Sequence, residues 1–222
     1  MIEFKHVELK YHYDEYALLK DLDFTLVDGI NTVLCDSQSG KSSVCKLLTK
    51  EFAPTGGQIL LDGQDIASIT NASLGILYLQ TIPTLFENRS VFYNVTYPLK
   101  VRKVDKAEQI KIFDEVAKLV GLTINPKQKV KKLQTDERKR ISLARGLTVK
   151  RKVVLCDDFC TQKEHIDKIV TLFDGATVVI ITSDVALACG NVVVLDGGKT
   201  VYCGDVDGAV KVRQNLGWIF DC

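Results

Sequence analysis

Both ends of the chain consist of short apolar runs bounded by turn residues, whereas its middle repeats at the helical period. Ile2 to Tyr11, Leu22 to Val27 and Ile30 to Leu34 read as strands, and Gly57 to Leu61 follows as another, turning at Asp62-Gly63. Ser43 to Leu48 reads as a helix with Val44, Leu47 and Leu48 on one side. From about Thr81 to Lys150 the chain is predicted helical; within Lys106 to Val120, Ile110, Phe113, Val116 or Ala117, and Val120 form an apolar stripe suited to core packing. Val153 to Cys156, Thr177 to Thr182, Asn191 to Leu195 and Thr200 to Cys203 read as buried strands, with a short helical stretch from Lys163 to Phe173. Strands that are apolar on both faces and alternate with helices predict a parallel sheet covered on both sides, with ligands at the carboxyl ends of its strands. Cys35 and Asp157 both fall at such ends.

Composition narrows this picture. The chain has 222 residues, 46% of them hydrophobic, which suffices for one folded unit over 1–222. A formal charge of +1 gives no bulk attraction to nucleic acid or to an anionic membrane. Lys127, Lys129, Lys131, Lys132, Arg138, Lys139 and Arg140 are interrupted by Asp136 and Glu137 and read as a solvated helix face, so no nucleic-acid partner is expected. No apolar run reaches the roughly 20 residues of a membrane span, and no signal-like segment follows Met1. Seven cysteines, odd in number, read as free thiols in a reducing cytoplasm. Cys156 and Cys160 are the only near pair and lack the partners of a metal site. Cys35, beneath the loop described next, is the thiol whose oxidation is expected to matter. Val210, Val212 and Leu216 predict a closing helix, with Trp218 and Phe220 in the tail.

Val33 to Ser43, VLCDSQSGKSS, carries the chemistry. An apolar strand enters a small polar turn and closes on Gly40-Lys41-Ser42 at a helix start, the pattern G-x-x-x-x-G-K-[ST] with Cys35 in place of its first glycine. Backbone N–H groups of such a turn and the positive helix end face phosphates, Lys41 neutralises β/γ charge and Ser42 can ligate Mg²⁺. Val153-Val154-Leu155-Cys156-Asp157-Asp158 is a buried strand delivering two carboxylates: Asp157 to a metal through water, Asp158 near an attacking water.

With these motifs in place, Ile2 to about Gly204 resembles the ATP-binding subunit of an ABC transporter. Gln80, ending the run Leu74 to Leu79, matches the Q-loop glutamine that senses Mg²⁺ and the nucleophilic water. Leu85 to Val91 and Asn94 to Lys100 are similar to the segment lining the groove for a membrane subunit's coupling helix, in the manner of importer-like bacterial subunits. Tyr11, or Tyr13 in its place, matches the aromatic on which adenine stacks; either can instead cover the sheet edge. Leu133 to Glu137, LQTDE, stands where the family has LSGGQ, and Arg138 to Arg145 matches the helix that follows.

The resemblance implies an α/β P-loop NTPase of ABC type, with a mainly parallel core sheet, an N-terminal antiparallel β subdomain and an inserted helical subdomain. The nucleotide-binding core would comprise 1–80 and 150–222, and the helical subdomain 81–149. ATP and Mg²⁺ are the implied cofactors. Cys35, Asp36, Ser37, Gln38, Ser39, Gly40, Lys41, Ser42 and Ser43, with Tyr11, would hold nucleotide; Ser42, Gln80 and Asp157 would hold the metal; Asp158 and Gln80 would serve catalysis. The expected partners are a membrane subunit, through Thr84 to Leu99, and a second ABC ATPase, at the cytoplasmic face of the cell membrane.

Departures from the family pattern fall on turnover and closure. Gln134, Thr135 and Asp136 replace the serine and two glycines that close on a partner's γ-phosphate. Asp158 is one methylene shorter than the family's glutamate, Ser183 replaces its switch histidine, and Phe159-Cys160-Thr161-Gln162 lacks its D-loop. Retained binding residues beside altered catalytic ones predict Mg–ATP binding with slow or partner-dependent hydrolysis, so the ATPase assignment is left open. They also favour a heterodimer over a homodimer. The alternative is a nucleotide-gated regulatory or scaffold protein without transport turnover; a soluble ABC protein of translation or DNA repair fits less well, without a second cassette.

Overall fold

The computed structural model describes residues 1–10, 17–36 and 40–217. In chain order the elements are β1 (Ile2–Leu9), β2 (Leu19–Leu26), β3 (Ile30–Cys35), α1 (Lys41–Leu48), β4 (Gly56–Leu61), β5 (Gln64–Asp65), α2 (Asn71–Leu74), β6 (Ile76–Gln80), α3 (Val91–Val101), α4 (Lys106–Val120), α5 (Thr135–Leu147), β7 (Val153–Asp157), α6 (Lys163–Leu172), β8 (Thr177–Thr182), β9 (Asn191–Asp196), β10 (Lys199–Gly204) and α7 (Val206–Asn215). They build two sheets. One is antiparallel, in the order β2-β1-β4-β5; the other has the order β10-β9-β3-β8-β7-β6 and is parallel except for the antiparallel edge strand β10.

The period of two in β7 explains how one short strand serves two cores. Val153 and Leu155 face the antiparallel sheet and α1, packing with Leu47, Leu48, Phe4 and Leu22; Val154 and Cys156 face Leu77, Ile180 and the α6 residues Ile166 and Ile169. A third cluster lies within the helical segment, where Val91 and Val95 of α3, Phe113 and Val116 of α4, and Ile141 and Ala144 of α5 meet. Gly146 lets α5 lie close to the sheet, since a Cβ there would sit 2.4 Å from Leu77 Cδ2.

Some expectations need correction. Ile110 does not join the α4 stripe: it is 46% exposed, and Gln109 is buried, donating Nε2–H to the Val104 carbonyl at 2.8 Å. β10 is no buried strand, because its sheet position gives it one neighbour and its residues alternate between exposed and half-buried. In α7 Ala209, rather than Val210 or Val212, is the buried residue, and Leu216 is exposed. Tyr11, Tyr13, Trp218 and Phe220 lie outside the described residues, as do Ser37, Gln38 and Ser39.

Candidate functional site

Sheet order brings three distant segments to one edge. β3, β8, β7 and β6 are adjacent and parallel, with Leu34 paired to Thr182, Asp157 to Ile181, and Gln80 to Asp157. Their carboxyl ends therefore align, and the loops carrying Asp36, Asp157-Asp158 and Gln80 leave from the same side.

After β3, the chain enters α1 through Gly40, whose φ of 91° is left-handed and whose added Cβ would stand 2.6 Å from Leu19 Cδ2. Glycine alone meets both conditions without strain. The Gly40 carbonyl accepts from Ser43 N–H at 2.9 Å and Val44 N–H at 3.0 Å, setting the helix start. Ser42 is exposed there, whereas Ser43 is buried. Lys41 turns its ammonium to Asp158, Nζ to Oδ2 at 2.7 Å, with only 14% of the lysine side chain exposed.

Asp158 itself is held in an unusual conformation, φ 45°, by its own backbone: its N–H donates to Ile181 O at 3.0 Å and its carbonyl accepts from Thr81 Oγ1 at 2.9 Å. Asp157 accepts at Oδ2 from the Tyr78 hydroxyl at 2.7 Å. Burial raises the Asp157 pKa, reinforced by the Asp158 charge and opposed by Tyr78 and Lys41. Burial also pushes the Tyr78 phenol up, and the adjoining Cys45 and Asp157 add to it. Gln80 accepts at Oε1 from Thr84 Oγ1 at 3.1 Å, so its amide is tied to the segment leaving the sheet.

Cys35 is fully buried, and desolvation drives its thiol well above the ordinary value. Burial of this kind makes a thiol less reactive, which weighs against the expected role of Cys35 oxidation. Sequence reasoning missed Tyr78; its position two residues before Gln80, on a strand neighbouring Asp157, was the available signal. It also missed Thr81, whose hydroxyl holds the Asp158 turn.

A half-buried arginine ties the helical segment together. Pro98 lies inside α3 and supplies no N–H for the Asn94 carbonyl four residues earlier. Arg145 Nε donates to that carbonyl at 2.9 Å, Nη2 to Asn94 Oδ1 at 2.7 Å and Nη1 to the Thr84 carbonyl at 3.0 Å. Burial lowers the Arg145 pKa to about 10, which still leaves it charged at neutral pH. Asn94, fully buried, in turn accepts from Phe86 N–H at 2.8 Å. Arg138 forks onto Glu87, with Nη1 to Oε2 at 3.0 Å. Two arginines of α5 therefore hold the 84–94 stretch.

That stretch presents an aromatic surface. Phe86, 41% exposed, lies 5.6 Å from the Tyr93 ring centre and 4.7 Å from that of Tyr97, while Arg89 and Lys100 stand over Tyr93. The first turn of α5, beside Arg138, is acidic, with Asp136 exposed and Glu137 Oε2 accepting from Gln134 N–H at 2.9 Å. Carboxylates there already complement the positive helix end, which disfavours a further anion.

The ABC transporter family is matched over residues 19–161. The chain is 33% identical over 147 residues to the molybdate/tungstate import ATP-binding protein WtpC of Thermococcus kodakarensis, covering 66% of this chain and 44% of that protein. It is 28% identical over 227 residues to the methionine import ATP-binding protein MetN 1 of Staphylococcus aureus, covering 93% of this chain and 66% of that protein. The chain thus spans less than two thirds of either relative's length. Among solved structures, CbiO1 from Clostridium perfringens, part of the ABC transporter complex CbiONQ, superposes with a TM-score of 0.78 at 21% identity over 99% of this chain and 95% of that one. The ATP-binding cassette MJ0796, in a dimeric post-hydrolysis state with ADP and Pi, superposes with a TM-score of 0.80 at 22% identity, covering 93% and 99%. Profile, relatives and fold agree that the chain belongs to the ABC transporter family and has the fold of its ATP-binding subunits.

Proposed function

We propose that the chain is an importer-type ATP-binding subunit that binds Mg–ATP and couples it to a membrane subunit, with hydrolysis slow or dependent on a partner ATPase. The observation that carries this reading is the shared edge of β3, β7 and β6, where the turn at Gly40, the Lys41 ammonium, the exposed Ser42 and the Asp157 carboxylate face one another's loops. The residues fit the nucleotide: a glycine that tolerates no Cβ opens a helix whose positive end would face phosphate oxygens. Lys41 would neutralise phosphate charge, and Ser42 with Asp157 and Gln80 would hold Mg²⁺, which when bound polarises the phosphates. Cys35, Asp36 and Ser43 would support the cradle, with 37–39 completing it and Tyr11 stacking on the base.

Asp158 would contribute little to turnover. Its carboxylate is occupied by Lys41 and lies on a side chain one methylene shorter than the family's glutamate, so its reach to a positioned water is reduced. In this reading the core comprises 1–80 and 150–222, and 81–149 is the helical subdomain that transmits closure. Thr84 to Leu99, with its aromatic surface, would receive the membrane subunit and place the chain at the inner face of the membrane. No helix among the described residues is long and apolar enough to cross it. The acidic first turn of α5 would close poorly on a partner's phosphate, which favours pairing with an intact relative. The same acidity and the Lys41–Asp158 pair favour, as a second reading, a nucleotide-gated scaffold without turnover.

Titration with a non-hydrolysable ATP analogue and Mg²⁺ tests the binding half. Lys41→Ala is expected to weaken affinity by at least about tenfold, the loss of one charge-assisted contact. Unchanged affinity would sink it. Co-purification of a membrane protein that depends on Phe86 and Tyr97 separates transport from scaffolding.

A further inference from the structure

A cleft of about 260 Å³ opens between α5 and α6, and none of the described residues of the 36–43 loop lines it. Val120, Leu143 and Ile169 give it an apolar lining. Around them stand three cations, Lys139, Arg140 and Lys168, against a single carboxylate, Asp136. The cleft therefore carries an excess of two positive charges.

Two of these cations are fixed by backbone. Lys139, half-buried, donates from Nζ to the Phe159 carbonyl at 3.0 Å and lies 5.0 Å from the centre of that ring. Arg140 Nη1 donates to the carbonyls of Val120 and Gly121, each at 3.1 Å, where α4 ends. Their partners are carbonyls rather than carboxylates, so position is set while net charge remains. Nη1 has two hydrogens and both are used, which leaves Nε–H and Nη2 of Arg140 to face a ligand. Lys168 is exposed on α6 and pairs with no acid among the described residues. At the rim, His165 Nδ1 accepts from Thr161 N–H at 3.4 Å, so the neutral ring carries its proton on Nε2 and offers a further donor. Positive charge in a recess with apolar walls focuses potential on whatever enters it. The first turn of α5, whose carboxylates disfavour an anion, is not what would hold it; the cations lie a turn further along α5 and on α6.

We propose that the α5–α6 cleft binds a small organic phosphate monoester. Its phosphate lies among Lys139, Arg140 and Lys168, and a single apolar ring or short chain packs on Leu143 and Ile169. The surplus of two positive charges matches a phosphate monoester, which is a dianion above its second pKa of about 6; a carboxylate would leave one of them unmet. Charge-assisted bonds from a guanidinium and two ammonium groups fix the phosphate, and the apolar lining distinguishes an ester from the free ion. A volume below the roughly 300 Å³ at which drug-sized pockets begin suits one ring rather than a whole nucleotide. The site does not depend on the nucleotide reading, because Lys41 and its loop take no part in it.

The full chain is titrated at neutral pH with phenyl phosphate, followed by ligand-observed NMR, beside inorganic phosphate and phenol. Saturable binding of phenyl phosphate is expected, at least about tenfold tighter than that of either fragment and weakened by added salt. Lys168→Gln, a change to an exposed side chain, is expected to weaken it about tenfold, whereas Lys41→Ala leaves it unchanged. In the unmodified chain, phenyl phosphate is expected to protect Lys139 and Lys168 from acetylation, read from the masses of their peptides, so a poorly folded variant does not decide the matter. The proposal is overturned if no saturable binding is seen, if inorganic phosphate or phenol binds as tightly, or if neither lysine is protected. It is equally overturned if affinity falls in Lys41→Ala and not in Lys168→Gln, which would put the ligand in the 36–43 loop.

Discussion

At the scale of single residues, the pair between Lys41 and Asp158 determines what the candidate site can do. An ammonium at 2.7 Å from a carboxylate is a counter-ion already in place, and a phosphate at the same ammonium has to compete with it. Asp158→Asn removes that competitor without changing shape, and ADP affinity, read by calorimetry, is expected to rise about tenfold, the equivalent of roughly 1.4 kcal/mol. ADP avoids any confusion with slowed hydrolysis. An unchanged or weaker affinity would mean that Asp158 does not compete with phosphate for Lys41. Gly40 offers a second test, because alanine would meet both a left-handed backbone and Leu19 Cδ2 at 2.6 Å. Gly40→Ala is expected to cost about 1–3 kcal/mol in urea unfolding, and a loss within error would show that the turn relaxes freely.

At the scale of elements, the sequence was most legible where periodicity and burial coincide. β7 and β8, apolar on both faces, fall where the pattern puts them, because strands covered on two sides admit little else. Less visible was how α5 is fastened. Nothing in the text Arg138-Lys139-Arg140 says that one arginine clamps Glu87, and Arg145 reads as an ordinary helix residue until the orphaned Asn94 carbonyl above Pro98 is seen. Edge position, which made β10 exposed, is a property of topology and is absent from local pattern. The carboxylates were legible as a strand end, whereas their partners Tyr78 and Thr81 were not, since a hydroxyl on a neighbouring strand carries no motif. Arg145→Met leaves the Asn94 carbonyl without its donor and Asn94 Oδ1 with Phe86 N–H alone, and a loss of about 2 kcal/mol in chemical unfolding is expected; a loss under about 1 kcal/mol would mean that water replaces the fork. The Glu87 clamp has a pH signature. Its hydrogen bond to Arg138 holds the Glu87 carboxyl below the ordinary 4.5, so its contribution is complete above that value and is lost as pH falls through the depressed one. Glu87→Gln is expected to flatten stability against pH on the acid side; a profile identical to that of the unmodified chain would count against the clamp.

For the whole molecule, two sheets and a helical segment meet at one edge, and α5 carries charges of both signs. The carboxylates of its first turn are exposed or half-buried, while Arg138, directly after Glu137, and Arg145, near the other end, bind the 84–94 stretch that carries the aromatic surface. In the proposed reading the chain holds nucleotide at its own loop and passes a change in Gln80 and Thr84 towards that surface, while offering little to a phosphate held by another subunit. The purified chain is therefore expected to remain monomeric with Mg–ATP in sedimentation; a tight ATP-dependent homodimer would overturn the asymmetric account. The central claim, nucleotide held with little turnover, is tested most directly by equilibrium binding of an ATP analogue with Mg²⁺ beside steady-state phosphate release on the reduced chain. Micromolar binding that is lost in Lys41→Ala, together with negligible release, is the expected result. Brisk release by the chain alone would contradict it, showing that Asp158 and Ser183 suffice for hydrolysis.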